Sequence, residues 1–244
     1  MISEFASTVS SLVRARFPLL YVQTWEELRV LQEVWAAVRT EPRLQHRPRD
    51  VFLWRSTTGL SQLTEVRHGR TPVEREISPN QTRDPVGVLA FIREHESSAV
   101  FLLFDYHWFL RPGPRWDEQM AIRALRDLAS RIKTGSYAKT VVLVSPTLAV
   151  PDELQKDVTI VEFALPGEAE LDQALQRLID DNRDRFVAGG PPPQDRRHLV
   201  KAALGLTLTE ADNAFALALA TRGTLDIESV TLIRHEKRQA VRRA

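Results

Sequence analysis

Apolar positions along this chain follow two alternating patterns. Between Ser3 and Arg16, Phe5, Val9, Leu12 and Val13 recur at helical spacing, which predicts an amphipathic helix ended by Pro18. LLYVQT (Leu19 to Thr24) is a short apolar run of strand type. In WEELRVLQEVWAAVR, residues Leu28, Leu31, Trp35 and Val38 share one helical face. Further strands are expected at Asp50–Thr57, in AVFLLF leading to Asp105, at Thr140–Thr147 and at Val158–Pro166. Helices are expected in VGVLAFIREHE and from Asp117 to Lys133, where Ala121, Ala124, Leu125, Leu128 and Ile132 form one face. The stretch 58–84 is charged, carries Gly59, Gly69, Pro72 and Pro79, and reads as irregular or hairpin-bearing. Five short apolar strands alternating with helices predict an α/β domain with a mainly parallel, five-stranded sheet covered on both faces.

Only helical periodicity continues beyond Pro166. Leu171, Leu175, Leu178 and Ile179 mark a first helix, and GGPPP (Gly189 to Pro193) interrupts the pattern. Another helix is expected near Arg196, one near Thr209 with that residue as cap and Asp212 three positions on, and a last after Asp226. The expected organisation is an α/β domain over 1–166 and a small all-helical subdomain over 167–244.

Composition narrows the chemistry. The chain has no cysteine, which removes disulfides, thiolate metal sites and cysteine nucleophiles. A formal net charge of +1 supplies no global field for nucleic acid or a membrane surface. No run approaches the ~20 apolar residues of a membrane span, and the N-terminus lacks a signal-peptide core, so a cytoplasmic protein is expected.

The run FLLFDYHWFL (Phe101 to Leu110) poses the main functional question. In nucleotide-hydrolysing α/β domains an apolar strand ending in Asp holds Mg²⁺ beside phosphates, and Asp105 occupies that place. The first strand of such an enzyme must also run into a glycine-rich loop ending in Gly-Lys-Ser/Thr, whose backbone N–H groups cradle the phosphates. Here LLYVQT runs directly into Trp25, Glu26 and Glu27, and no GxxxxGK[ST] occurs anywhere in the chain. Two carboxylates suit a helix N-terminus but repel a triphosphate. Beside Asp105, where a carboxylate would activate water, stands Tyr106; Ser145 or Thr147 could supply the polar end of the neighbouring strand. The balance favours Asp105 as a carboxylate that caps the sheet edge by hydrogen bonds.

The blocks LVRARFPLLYVQTWEELRVL, VFLWRSTTGL, FLLFDYHWFL, IRALRDLASRIK, KTVVLVSPTLAVPDELQKDVTIVEFALP and LTLTEADNAFALAL resemble, in this order, the N-terminal half of the hypothetical-chloroplast-reading-frame (Ycf) type AAA-plus ATPases. The likeness runs from Val9 to about Arg242 and is most specific in ARFPLLYVQTWEE and SPTLAVPDELQKD. It implies a degenerate, P-loop-NTPase-like AAA module followed by a helical AAA-lid-like subdomain. It further implies that Asp105 is a vestigial Walker-B-like residue and Ser145 and Thr147 are sensor-like remnants. IRHEKRQAVRR would be the connector to an active domain. ATP would be a cofactor only of such a C-terminal domain in a longer parent protein.

The remaining candidates are weaker. His46, His68, His95, His107, His198 and His235 lie apart without metal-ligand spacing and read as surface or loop residues; the strand period puts His107 on the same face as Asp105. Tyr106, Trp108, Phe109 and Trp116, bracketed by Arg111 and Arg115, suit a protein contact or packing more than base stacking. Arg238 and Arg242 lie in a basic tail that also suits a solvated helix end. No Ser stands in a local arrangement with His and Asp. The expected function is a non-catalytic AAA-like module that contacts like subunits, an AAA-plus ATPase or a protein client. The alternatives are a divergent nucleotide binder using Asp105 and Ser145, and a nucleic-acid-binding accessory protein.

Overall fold

Helix α1, Glu4–Arg14, begins where Ser3 can cap it: Ser3 is extended and its Oγ accepts the Ala6 N–H at 3.0 Å. A computed structural model describes residues 3–40, 49–65, 72–77, 79–111, 116–186 and 190–243, and it separates them into two compact units, Met1–Phe163 and Ala164–Ala244. In the first unit α1 is followed by β1 (Leu19–Gln23), α2 (Glu27–Thr40), β2 (Asp50–Arg55), β3 (Gly59–Thr64), β4 (Val73–Ile77), α3 (Pro79–Thr82) and α4 (Pro85–Glu94). Then come β5 (Ala99–Phe104), a 3₁₀ turn (Tyr106–Leu110), α5 (Trp116–Thr134), β6 (Lys139–Ser145), a 3₁₀ turn (Asp152–Leu154) and β7 (Val158–Val161).

The sheet has seven strands, in the order β4-β3-β2-β5-β6-β1-β7, where sequence patterning predicts five. The five expected strands are all present and form the parallel series β2-β5-β6-β1-β7. The two additional strands are an antiparallel extension built from the stretch read as irregular or hairpin-bearing, and the hairpin alternative is the one the structure shows. Gly59 takes a positive φ of 81° that turns the chain from β2 into β3, and β3 pairs β4 from Leu60↔Ile77 to Thr64↔Val73. The strand β4, VEREI, lies at the sheet edge with four of its five side chains exposed. Backbone pairing, not burial, defines it, so hydrophobic alternation could not reveal it.

Alternation sorts the parallel strands onto two cores. Leu20, Val22, Leu53, Val100, Leu102, Phe104, Val142 and Val144 pack under α1 and α2, against Val9, Val13, Val30 and Val34. Leu19, Tyr21, Phe52, Trp54, Phe101, Leu103, Val141 and Leu143 pack under α4 and α5, against Leu89, Ile92, Leu125 and Leu128. Every residue of β5 and β6 is buried, as expected for strands covered on both faces.

The second unit is all helical: α6 (Glu168–Asp181), α7 (Pro193–Ala203), α8 (Leu208–Arg222) and α9 (Ser229–Arg243), with a 3₁₀ turn at Arg183–Arg185. Leu171, Leu175, Ile179, Leu199, Phe215, Leu219 and Ile233 form its core. Arg196 ties α7 to α6, reaching Asp172 Oδ1 at 2.5 Å and Gln176 Oε1 at 2.6 Å. The cap of α8 is Thr207, not Thr209. Thr207 Oγ1 accepts the Glu210 N–H while Glu210 Oε2 accepts the Thr207 N–H at 2.9 Å, a reciprocal pair that the shorter Asp212 does not form with Thr209.

Because Leu125 is wholly enclosed beneath the sheet, Leu125→Ala is expected to lower stability by about 2–5 kcal/mol through lost burial and a residual cavity, measured by urea denaturation.

Candidate functional site

Five parallel strands end along one edge of the sheet, and the loops that follow β1, β5 and β6 carry the residues singled out by sequence. Asp105 directly follows β5 and adopts a left-handed conformation (φ 54°, ψ 24°), uncommon for a residue with a Cβ. Its N–H bonds the Val144 carbonyl at 2.9 Å, holding the turn to β6, while its side chain is half exposed. The carboxylate makes no capping hydrogen bond to the 3₁₀ turn that it opens, so the edge-capping role expected from sequence is not realised there. His107 Nδ1 lies 3.6 Å from its Oδ1.

His107 departs from the expectation of a surface histidine: it is only 3% exposed, and its Nδ1 has no hydrogen-bond partner among the described residues. Burial first, with the Arg111 guanidinium adding to it, holds its pKa below the usual 6.5, although Asp105 opposes the shift.

Across the edge stands Glu27, in the first turn of α2. Burial raises its pKa above the ordinary value, the Asp105 carboxylate raises it further, and Arg55 at the end of β2 opposes them. The Asp105 carboxylate is thus near enough to disfavour the charge of Glu27. Arg55 is engaged elsewhere too, reaching Glu74 Oε2 at 2.8 Å and lying over the Phe104 ring. Between β1 and α2 the chain has only Thr24, Trp25 and Glu26. Thr24 Oγ1 accepts the Glu26 N–H at 3.1 Å, and buried Glu26 receives Arg29 Nη1 at 2.6 Å.

Ser145 does not point into open space. Its Oγ lies 2.7 Å from the Tyr21 hydroxyl and 2.9 Å from the Thr147 carbonyl oxygen. The Tyr21 hydroxyl donates to that carbonyl at 2.7 Å and accepts the Ala149 N–H at 3.1 Å. The Thr24 N–H bonds the Ser145 carbonyl at 2.9 Å, and Gln23 Nε2 bonds the Pro146 carbonyl at 3.2 Å. In open α/β sheets ligands enter the crevice beyond the strand ends where the strand order reverses. Here that crevice lies between β1 and β6, and these bonds hold the 145–149 segment across it.

The aromatic cluster divides. Tyr106 is fully buried, its hydroxyl donating to the Pro85 carbonyl at 2.9 Å and its ring against Trp54 and Phe109. It is therefore a core residue and not an accessible contact; Phe109 packs with it. Trp108 is 56% exposed, with the Arg111 guanidinium 4.3 Å from its ring centroid. Trp116 opens α5, but its side chain lies outside the described residues, as do Arg115, His46 and His68. In the second unit Arg238 and Arg242 are exposed on one face of α9 with Arg234 and Val241. Among the described residues no three His, Asp or Glu side chains are placed to hold a metal ion, and no helix is long and apolar enough to cross a membrane.

Comparison with known proteins follows from this arrangement of strands and helices. Residues 5–163 match the family model of the SpoVK-like AAA ATPase N-terminal domain, and residues 169–244 match that of its second domain. The chain belongs to the SpoVK-like AAA ATPase family. It is 28% identical over 244 residues to the ycf46 AAA domain-containing protein of Guillardia theta, covering 98% of this chain and 42% of that protein. With the Trieres chinensis ycf46 protein it shares 25% identity over 244 residues and the same coverage. This SpoVK-like chain thus spans less than half the length of those curated relatives. In fold it is similar to a chain in the structure of the E. coli MS115-1 HORMA:CdnC:Trip13 complex, with TM-score 0.56, 12% identity, and 94% and 85% of the two chains covered. It is also similar to C. elegans PCH-2, with TM-score 0.53, 12% identity, and 98% and 68% covered.

Sequence reading of this SpoVK-like chain missed one constellation, at the opposite edge of the sheet. Ser97 Oγ donates to Asp50 Oδ2 at 2.8 Å and lies 2.7 Å from His95 Nε2. Ser, His and Asp therefore do meet, although 47 residues separate Asp50 from Ser97. The order is wrong for nucleophile activation, because the hydroxyl sits between the other two and Asp50 faces Nε2, at 3.8 Å, not the far ring nitrogen. The His95 ring instead packs between Phe91, Phe52 and Phe101. Burial lowers its pKa despite Asp50, with Lys139 adding to the decrease.

Two expectations follow. Tyr21→Phe strands the Ala149 N–H and removes a partner of Ser145, and is expected to cost about 1–3 kcal/mol in urea denaturation. His95 and His107 are held neutral, so their contribution is intact above the ordinary 6.5 and declines as pH falls below it toward the depressed values. Stability measured at successively lower pH below 6.5 should therefore fall, and His107→Gln should make that fall shallower.

Proposed function

We propose that this chain is a non-catalytic AAA-like module for protein assembly, which packs against like subunits or an active AAA-plus ATPase or carries a surface for a protein client. The observation that carries the reading is the connection from β1 to α2. Where phosphate chemistry needs a glycine-rich loop of about eight residues, the chain crosses in three, Thr24 to Glu26, with Glu27 following. Two carboxylates head the helix, and Glu27 already meets the charge of Asp105. A triphosphate there would add like charge to a site that disfavours it.

The hydrogen-bonded closure between β1 and β6 supports the same reading, since Ser145 and Tyr21 spend their hydroxyls on the 147–149 backbone. In this view Asp105 keeps a Walker-B-like position without its chemistry, Ser145 and Thr147 keep sensor-like positions, and α6 to α9 serve as a lid-like subdomain. ATP would be bound by an active domain of a longer protein or of a partner subunit. A chain of similar fold belongs to the E. coli MS115-1 HORMA:CdnC:Trip13 complex, which fits an architecture suited to protein partners.

The purified chain is expected to show no saturable Mg²⁺-dependent ATP hydrolysis and no calorimetric heat with ATP, ADP or GTP at millimolar concentration. Saturable hydrolysis would overturn the proposal.

A further inference from the structure

A groove of about 790 Å³ opens beside the closed crevice, between α5 and the segment that follows β6. Its lining includes the apolar residues Leu110, Ile122, Leu148, Val150 and Pro151. Trp108 and Leu148 (45% exposed) extend apolar surface near it. Its charges are segregated by wall. The α5 side presents Arg123 and Arg126, with Arg111 at the end of the aromatic turn, whereas Asp152 and Glu153 line the facing segment.

The three arginines are not equally committed. Arg123 is held by Asp127 on the same helix, at 3.1 and 2.5 Å. Arg111 stacks on Trp108, a contact that leaves the edge of its guanidinium free to donate. Arg126 is exposed on α5, and no hydrogen bond or ion pair engages its side chain among the described residues. Apolar lining residues beside two arginines with unspent donors match a ligand with an apolar anchor and a carboxylate, because guanidinium and carboxylate pair in a two-pronged fashion.

We propose that the groove between α5 and the Leu148–Glu153 segment is a docking site for an acidic, apolar protein segment. The facing carboxylates select against the other polyanion class: a nucleic-acid strand would bring phosphates toward Asp152 and Glu153, whereas a peptide can direct its carboxylates toward Arg126 and Arg111 alone. The proposal rests on the assembly reading above, and the two fail separately, since nucleotide hydrolysis bears only on that reading and peptide binding only on the groove.

The test is fluorescence anisotropy of the whole chain with labelled probes: an amphipathic Leu/Glu peptide, the same peptide with Lys for Glu, and a single-stranded oligo(dT). The Leu/Glu peptide is expected to bind saturably, and at least about tenfold more tightly than its Lys counterpart, the ratio of one charge-assisted contact. Arg126→Glu should weaken it by about tenfold or more, and Leu148→Asp should weaken it independently. Both positions are exposed, and circular dichroism checks that each variant stays folded. Absence of saturable binding, equal binding of the two peptides, preference for oligo(dT), or binding unchanged in both variants would overturn the docking site.

Discussion

Burial of β5 and β6 on both faces is the constraint from which the rest follows. Each of their residues is covered, by α1 and α2 on one side and α4 and α5 on the other. Strands so enclosed can place chemistry only beyond their ends. Lys139, at the amino end of β6, shows what a charge must do to remain there: its Nζ donates to the Ile92 and Arg93 carbonyls at 2.7 and 3.1 Å, at the last turn of α4. At the carboxyl end Asp105 escapes the core through a left-handed turn, which lifts its side chain half into solvent as Tyr106 returns to the interior.

The two edges of the sheet solve the same polar problem differently. At the amino edge Asp50, His95 and Ser97 satisfy one another, with aromatic rings packed around the imidazole. At the carboxyl edge Tyr21 and Ser145 satisfy the 147–149 backbone, while Glu27 has its pKa raised by burial and by Asp105, and buried His107 Nδ1 has no hydrogen-bond partner among the described residues. Groups perturbed in this way cluster at functional sites. Here they lie at the carboxyl edge of the sheet, and a groove opens on the α5 side of β6.

How legible this was in the sequence depended on what enforced each feature. The five parallel strands were legible because two-sided burial demands unbroken apolar runs such as AVFLLF and TVVLV. β4 was not, since VEREI is held by its pairing with β3 and exposes its side chains. The α8 cap was nearly legible: both threonines of Thr207-Leu208-Thr209 are capping types, and only the reach of Glu210 over Asp212 separates them. The family resemblance was legible in ordered blocks along the chain, and the family models match the same span. The burial of His107 and the meeting of Glu27 with Asp105 had no sequence signal, because they arise from loops brought together by strand order alone.

Strand order also bears on what the three-residue link from β1 to α2 must do. The cores beneath the two helical layers are built from strand and helix interiors, and of the 24–26 link only Glu26 is buried, at the head of α2 beside Arg29. The link still ties to the sheet through the Thr24 N–H, which bonds the Ser145 carbonyl at 2.9 Å, and its three residues suffice to join β1 to α2. Its consequence is at the surface. A short crossing brings Trp25 and Leu28 out at the start of α2, 74% and 60% exposed, where apolar side chains lie one helical turn apart. A wide loop folded around phosphates would place backbone amides there. An apolar pair suits contact with another protein surface far better than contact with a polyanion.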